Sequence, residues 1–171
     1  MDKLKSKIQD VHDFPKPGVL FKDISPLLED GPMLKECVKA LAEPFIHSGV
    51  TIVAGMEARG FIFGSLVAYE LGLGFVPLRK PGKLPREVYR VNFELEYGQA
   101  TLESHIDAIK ETDRVLIIDD VLATGGTAKA SCELVEQHGA EVVACAFVME
   151  LSFLQGRQKI TDYLTHSLIR L

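Results

Sequence analysis

Val115-Leu116-Ile117-Ile118-Asp119-Asp120-Val121-Leu122-Ala123-Thr124-Gly125-Gly126-Thr127 is the stretch that decides the fold. Its first four residues form an unbroken apolar run rich in β-branched side chains. Such a run suits a strand covered on both faces, as in the middle of a parallel sheet. Two carboxylates follow where that strand would end. Then come a Gly-Gly turn flanked by threonines and a helical pattern over residues 128–138. Two glycines let the backbone curl tightly, and the first amides of the next helix have no internal acceptors. Those donors, with the positive end of the helix dipole, favour a phosphate. A Gly-Gly turn alone, or an Asp at a strand end alone, is ordinary turn or capping chemistry. Their combination directly after a buried-type strand points to a site. It is neither a Walker loop, since no Gly-Lys-Thr/Ser closes it, nor a GxGxxG turn.

The same strand, loop and helix arrangement recurs upstream. Residues 51–54 read as a second apolar strand, 55–60 (Gly-Met-Glu-Ala-Arg-Gly) as its loop and 61–70 as a helix. Arg59 in this loop is either a solvated charge or a fork for phosphate oxygens. Residues 74–78 are a third strand, followed by the basic loop Arg79-Lys80-Pro81-Gly82-Lys83-Leu84-Pro85-Arg86. By itself that loop reads as a solvated surface. After a strand end in an acidic protein it is a candidate anion clamp. Residues 88–103 alternate loosely around Tyr97-Gly98, which suits a hairpin. Residues 141–149 and 165–171 complete the strands. The helical pattern over 32–47 contains Pro44 late in its course, a place for a kink. Residues 3–11 show helical spacing, and 22–26 read as a loop. These units predict an α/β domain with a mostly parallel central sheet flanked by helices.

Composition narrows the function classes. The 171 residues suit one domain, and 47% hydrophobic with 25% charged residues is a globular balance. A net charge of −5 argues against a general nucleic-acid binder. No apolar run is long enough to span a bilayer, and the first ten residues lack a signal-peptide core, so a cytoplasmic location is expected. Cys37, Cys132 and Cys145 lack zinc spacing and are expected to be buried free thiols. The histidines show no paired spacing, and no catalytic role is assigned to them.

Taken together, VLIIDDVLATGGT, FPKPGVLFKDISPLL, EARGF, RKPGKLP and LEYG occur in an order and spacing that resembles the type I phosphoribosyltransferases, in particular their adenine-specific branch. The resemblance covers nearly the whole chain. It implies a single domain over 1–171, with an N-terminal hood at about 12–30 and a flexible loop at about 79–103. It implies transfer of a phosphoribosyl group from phosphoribosyl diphosphate (PRPP) to adenine, with Mg²⁺ held mainly by substrate near Asp119 and Asp120. Ala123, Thr124, Gly125, Gly126 and Thr127 would hold the sugar phosphate. Arg59, Arg79, Lys80 and Lys83 would receive diphosphate. Leu20, Phe21 and Lys22 of the hood, with Leu151, would form the adenine site. Read from the residues alone, the hood is equally a loop packed on the core, and Leu151 equally a core residue. Glu96 of LEYG matches the position that manages a purine ring proton. Without the resemblance it is an ordinary strand-end glutamate. The family further implies a non-proline cis peptide at Glu57–Ala58 and a homodimer. Two other readings compete: a transferase for a different base, and a non-catalytic PRPP sensor. The sensor would need an appended DNA-binding region, for which the chain shows neither spare length nor a basic helix.

Overall fold

A computed structural model of the chain describes residues 2–94 and 98–171. Its elements, in order, are α1 (Asp2–Lys5), β1 (Gln9–His12), β2 (Leu20–Asp23), α2 (Ser25–Glu29), α3 (Gly31–Ala42), β3 (Ile52–Met56), α4 (Gly60–Leu71), β4 (Gly74–Leu78), β5 (Val88–Glu94), β6 (Gln99–His105), β7 (Arg114–Leu122), α5 (Gly126–Gln137), β8 (Glu141–Glu150) and β9 (Thr165–Arg170). Five strands form one sheet in the order β4-β3-β7-β8-β9, and every neighbouring pair is parallel.

The apolar run of β7 is continuous because both sides of the strand are covered. Leu116 and Ile118 face the α3 and α4 side, with Val53, Phe63 and Val67. Val115 and Ile117 face the α5 side, with Ala54, Leu134, Val135 and Phe147. All four β7 residues are fully buried. Each such side chain contributes roughly 1.5–3 kcal/mol of apolar burial, so polar substitution on either face would break the sheet.

Two smaller antiparallel hairpins frame this sheet. β1 pairs with β2 near the N-terminus. β5 pairs with β6, and a mutual pair of backbone bonds between Arg79 and Glu103 (2.8 and 2.7 Å) hangs that hairpin from the end of β4. At the far end of α5, His138 Nε2 lies 2.8 Å from Ser104 Oγ and its ring meets Tyr89 edge-on, which ties α5 to the hairpin.

Several local expectations are corrected. The helix expected over 3–11 ends at Lys5, and Gln9–His12 is a strand, because its backbone groups pair with Leu20–Asp23. The loop expected over 22–26 instead begins α2: Asp23 Oδ1 accepts from the amide and hydroxyl of Ser25, and Pro26 sits in the first turn. α3 stops at Ala42, and Glu43–Phe45 continues as a 3-10 turn, since Pro44 has no amide to extend the α-helical ladder. β7 does not end before Asp119; it continues through the aspartates to Leu122, paired with β8. β6 runs to His105, two residues past the alternating stretch at 88–103. The three cysteines are buried and free, as expected. No helix among the described residues is long and apolar enough to cross a membrane.

Candidate active site

The strand order places the site. From β3 the chain passes through α4 to β4 on one side, and from β7 it passes through α5 to β8 on the other. β3 and β7 are neighbours whose connections diverge, which leaves a crevice beyond their carboxyl ends. Arg59 and residues 119 and 121–127 line the cavities there.

Asp119 and Asp120 are adjacent in β7, so their side chains leave opposite faces of the strand. Asp119 remains partly exposed and accepts the Asp120 amide on Oδ1 at 2.9 Å. Asp120 is 2% exposed. Its Oδ2 lies 3.0 Å from Arg59 Nε, yet accepts no directed hydrogen bond. The contact is therefore a charge pair with a lone pair left over. Burial pushes both carboxyls above the usual range. The neighbouring Asp120 charge raises Asp119 further, and the Arg59 guanidinium opposes the rise at both.

Beyond Leu122 the chain forms a cradle. Gly125 has φ +78°, and α5 begins at Gly126. The amides of Gly126, Thr127 and Ala128 meet no protein acceptor among the described residues. They open on a cavity of about 130 Å³ lined by Asp119, residues 121–128, Met56 and Phe147. A carboxylate-walled, amide-lined cavity of this size suits one phosphate group. The outer side of the turn rests on Gly156: a Cβ built on Gly125 would lie 2.2 Å from the Gly156 carbonyl oxygen. The end of β5 approaches the cradle from another side. Glu94 O and Phe93 would lie 3.5 and 3.7 Å from a Cβ on Gly126.

A second cavity, of about 560 Å³, lies beside the first. Leu20, Phe21 and Lys22 wall it on the hood side, and Leu151, Phe153 and Leu154 on the other. Ala123 and Thr124 line both cavities and join them. The guanidinium of Arg59 stands at its edge, 5.2 Å from the Phe21 ring centre, between that ring and Asp120. The walls are mostly apolar and suit a flat ring. Lys22 lines this cavity, but its ammonium is paired with Asp10 at 2.6 Å.

Arg79, Lys80 and Lys83 line neither cavity. They gather at Glu57, whose side chain is 7% exposed. Glu57 takes Lys83 Nζ at 2.6 Å, the Lys80 amide at 2.9 Å and Arg79 Nε at 3.3 Å. Burial alone would push this carboxyl up. The bonds from Lys83, the Lys80 amide and Arg79 outweigh it and hold the carboxyl at about 2. The peptide between Glu57 and Ala58 is cis, as expected. Glu96 lies outside the described residues. Sequence reading missed Glu57, although it stands in the loop singled out for Arg59; an acid in one strand-end loop facing a basic loop after the next strand was the available signal. It also missed Gly156, for which no local signal exists.

Asp119 is the carboxylate that lines the cradle cavity. Among the described residues no cluster of three or more His, Cys, Asp or Glu is arranged for a metal. Its position fits an ion whose shell is completed by substrate oxygens, while Asp120 Oδ2 stays with Arg59.

Known proteins resemble this chain over nearly its whole length. Residues 27–166 match the phosphoribosyl transferase domain family. The chain is 61% identical over 169 residues to an adenine phosphoribosyltransferase of Nitrosococcus oceani, and 60% identical over 169 residues to one of Methylococcus capsulatus, with 99% of both chains covered in each case. The crystal structure of adenine phosphoribosyltransferase from Rhodothermus marinus superposes with a TM-score of 0.95 at 50% identity, covering 99% of this chain and 97% of that one. By fold and full-length similarity, the chain belongs to the type I phosphoribosyltransferases, in their adenine phosphoribosyltransferase branch.

Proposed function

We infer that this chain transfers the phosphoribosyl group of PRPP to adenine, giving AMP and diphosphate, as a purine salvage enzyme. The observation that carries the reading is the junction at Ala123 and Thr124 of an amide-lined anion cavity with an apolar cavity suited to a flat ring. The carboxylates and Arg59 stand between the loops that form them.

The parts match what the reaction demands. Residues 123–127, with the amides at the start of α5, hold the sugar phosphate, and binding there orients the anomeric carbon. Breaking the bond to diphosphate builds positive charge on the sugar ring. Asp119 and Asp120 hold the ribose hydroxyls and favour that charge. Arg59 and the basic loop receive the negative charge of the leaving diphosphate. For Arg79 and Lys83 this means exchanging Glu57 for diphosphate oxygens. Mg²⁺ would be held mainly by substrate near Asp119 and Asp120, where it would supply charge neutralisation for the diphosphate. Backbone groups around Leu20 read the base edge, Phe21 and Leu151 cover the ring, and Lys22 borders it. Glu96 manages the ring proton.

The hood at about 12–30 and the loop at about 79–103 belong to one domain spanning 1–171. A cytoplasmic homodimer without nucleic-acid or membrane partners completes the reading. Its acidic charge and its resemblance to the family support this. The test is a product assay with PRPP, Mg²⁺ and each of adenine, hypoxanthine, guanine, xanthine and orotate. AMP formed from adenine alone is the expected result. A nucleotide formed from another base instead would refute the base assignment. PRPP binding without turnover on any base would favour the sensor.

A further inference from the structure

The Gly156 backbone touches the phosphate cradle, yet it belongs to the segment that walls the ring cavity. A Cβ on Gly156 would lie 2.1 Å from Ala123 O and 2.8 Å from Gly125 N. Ordinary carbon contacts begin near 3.4 Å. The two backbones therefore rest directly on each other, with no side chain between them to absorb a shift.

The position of Gly156 is fixed by its neighbour. Arg157 grips Glu150 with two prongs, Nε to Oε1 at 2.9 Å and Nη2 to Oε2 at 2.5 Å. Glu150 ends β8, and its side chain is 8% exposed. Arg157 also donates to Thr165 O at 3.0 Å and to Ser167 Oγ at 3.4 Å, both on β9. Ser167 Oγ donates in turn to Glu150 Oε2 at 3.0 Å. The pair closes residues 151–156 into a short loop, with Gln155 in the left-handed region at φ 54°. Leu151, Phe153 and Leu154 of that loop wall the ring cavity, and Gly156 at its other end braces the cradle.

We propose that Gly156, held by the Glu150/Arg157 pair, is a positioning residue that sets the sugar-phosphate cradle against the base cavity. The inference rests on the reading of residues 123–127 as that cradle. A two-pronged charge pair fixes direction as well as distance, which a lysine cannot reproduce. Displacing the cradle by a fraction of an ångström misplaces the anomeric carbon relative to the base.

The test titrates ribose 5-phosphate into the full chain and measures KM for each substrate. Gly156→Ala is expected to weaken ribose 5-phosphate by about a hundredfold and to raise KM for PRPP while KM for adenine changes less than about threefold. Arg157→Lys is expected to weaken ribose 5-phosphate by about tenfold with its fold intact. A merely structural role would move both substrates together. Thr127→Val removes a cradle hydroxyl and serves as the reference. If Thr127→Val weakens ribose 5-phosphate while Gly156→Ala and Arg157→Lys bind it like the parent, the positioning role is overturned and the cradle stands. If Thr127→Val is also without effect, the cradle reading falls instead. Should Gly156→Ala fail to fold, Arg157→Lys decides by itself: parental affinity there overturns the proposal.

Discussion

Replacing Glu57 by Gln removes the charge around which the basic loop is gathered. The glutamate carboxyl sits at about 2 in the folded chain against an ordinary 4.5. At about 1.4 kcal/mol per pH unit, the difference sets a ceiling of roughly 3 kcal/mol. The Lys83 side chain that supplies the shortest bond is 47% exposed. Solvent screening therefore reduces the expected contribution to roughly 1–2 kcal/mol. Its sign follows from linkage. The folded value lies below the unfolded one, so the stabilisation is complete above about pH 4.5 and is lost as pH falls toward 2. Urea unfolding of the parent and Glu57→Gln at pH 7, 5, 4 and 3 measures it. The parent should be more stable by about 1–2 kcal/mol at pH 7, and the gap should narrow below pH 4.5. The variant should also show a lowered KM for PRPP, because Arg79 and Lys83 no longer have to leave the Glu57 charge to meet diphosphate oxygens. A stability gap that does not change with pH, or no gap at all, would refute the assignment of Glu57 as the counterion of this loop.

Asp119→Asn and Asp120→Asn should each lower turnover by about 10²–10³-fold without loss of stability. Burial pushes both carboxyls up, so the parent should gain stability relative to the variants as pH falls from neutral toward the ordinary carboxyl value; equilibrium unfolding against pH checks the sign. Leu151→Ala opens one wall of the ring cavity and should raise KM for adenine about tenfold while leaving ribose 5-phosphate affinity unchanged, as read by steady-state kinetics and calorimetry. Chelation of Mg²⁺ should abolish turnover yet spare ribose 5-phosphate binding, since backbone amides carry that contact; equal loss of both would count against the cradle.

The sequence alone determined the pieces whose hydrogen bonding and burial are local. The runs at 115–118 and 51–54 could be read as strands because continuous apolar character requires cover on both faces. Asp119, Asp120 and the Gly-Gly turn could be read as a site because the turn and the helix start follow from residues next to them. The base-side residues, and the cis peptide at Glu57–Ala58, were legible only through the resemblance of the whole chain to a family. Tertiary structure decided everything that depends on distant partners. Gln9–His12 became a strand because Leu20–Asp23 lies beside it, overriding a helical spacing. The basic loop proved to be tied down because Glu57 reaches Arg79 and Lys83 across 22 and 26 residues. Gly156 meets Gly125 only because the sheet sets the loop after β8 against the loop after β7. Periodicity and turn chemistry encode the bonds a segment makes with itself; which loops share one crevice is fixed by strand order, and strand order is settled by the packing of the whole sheet.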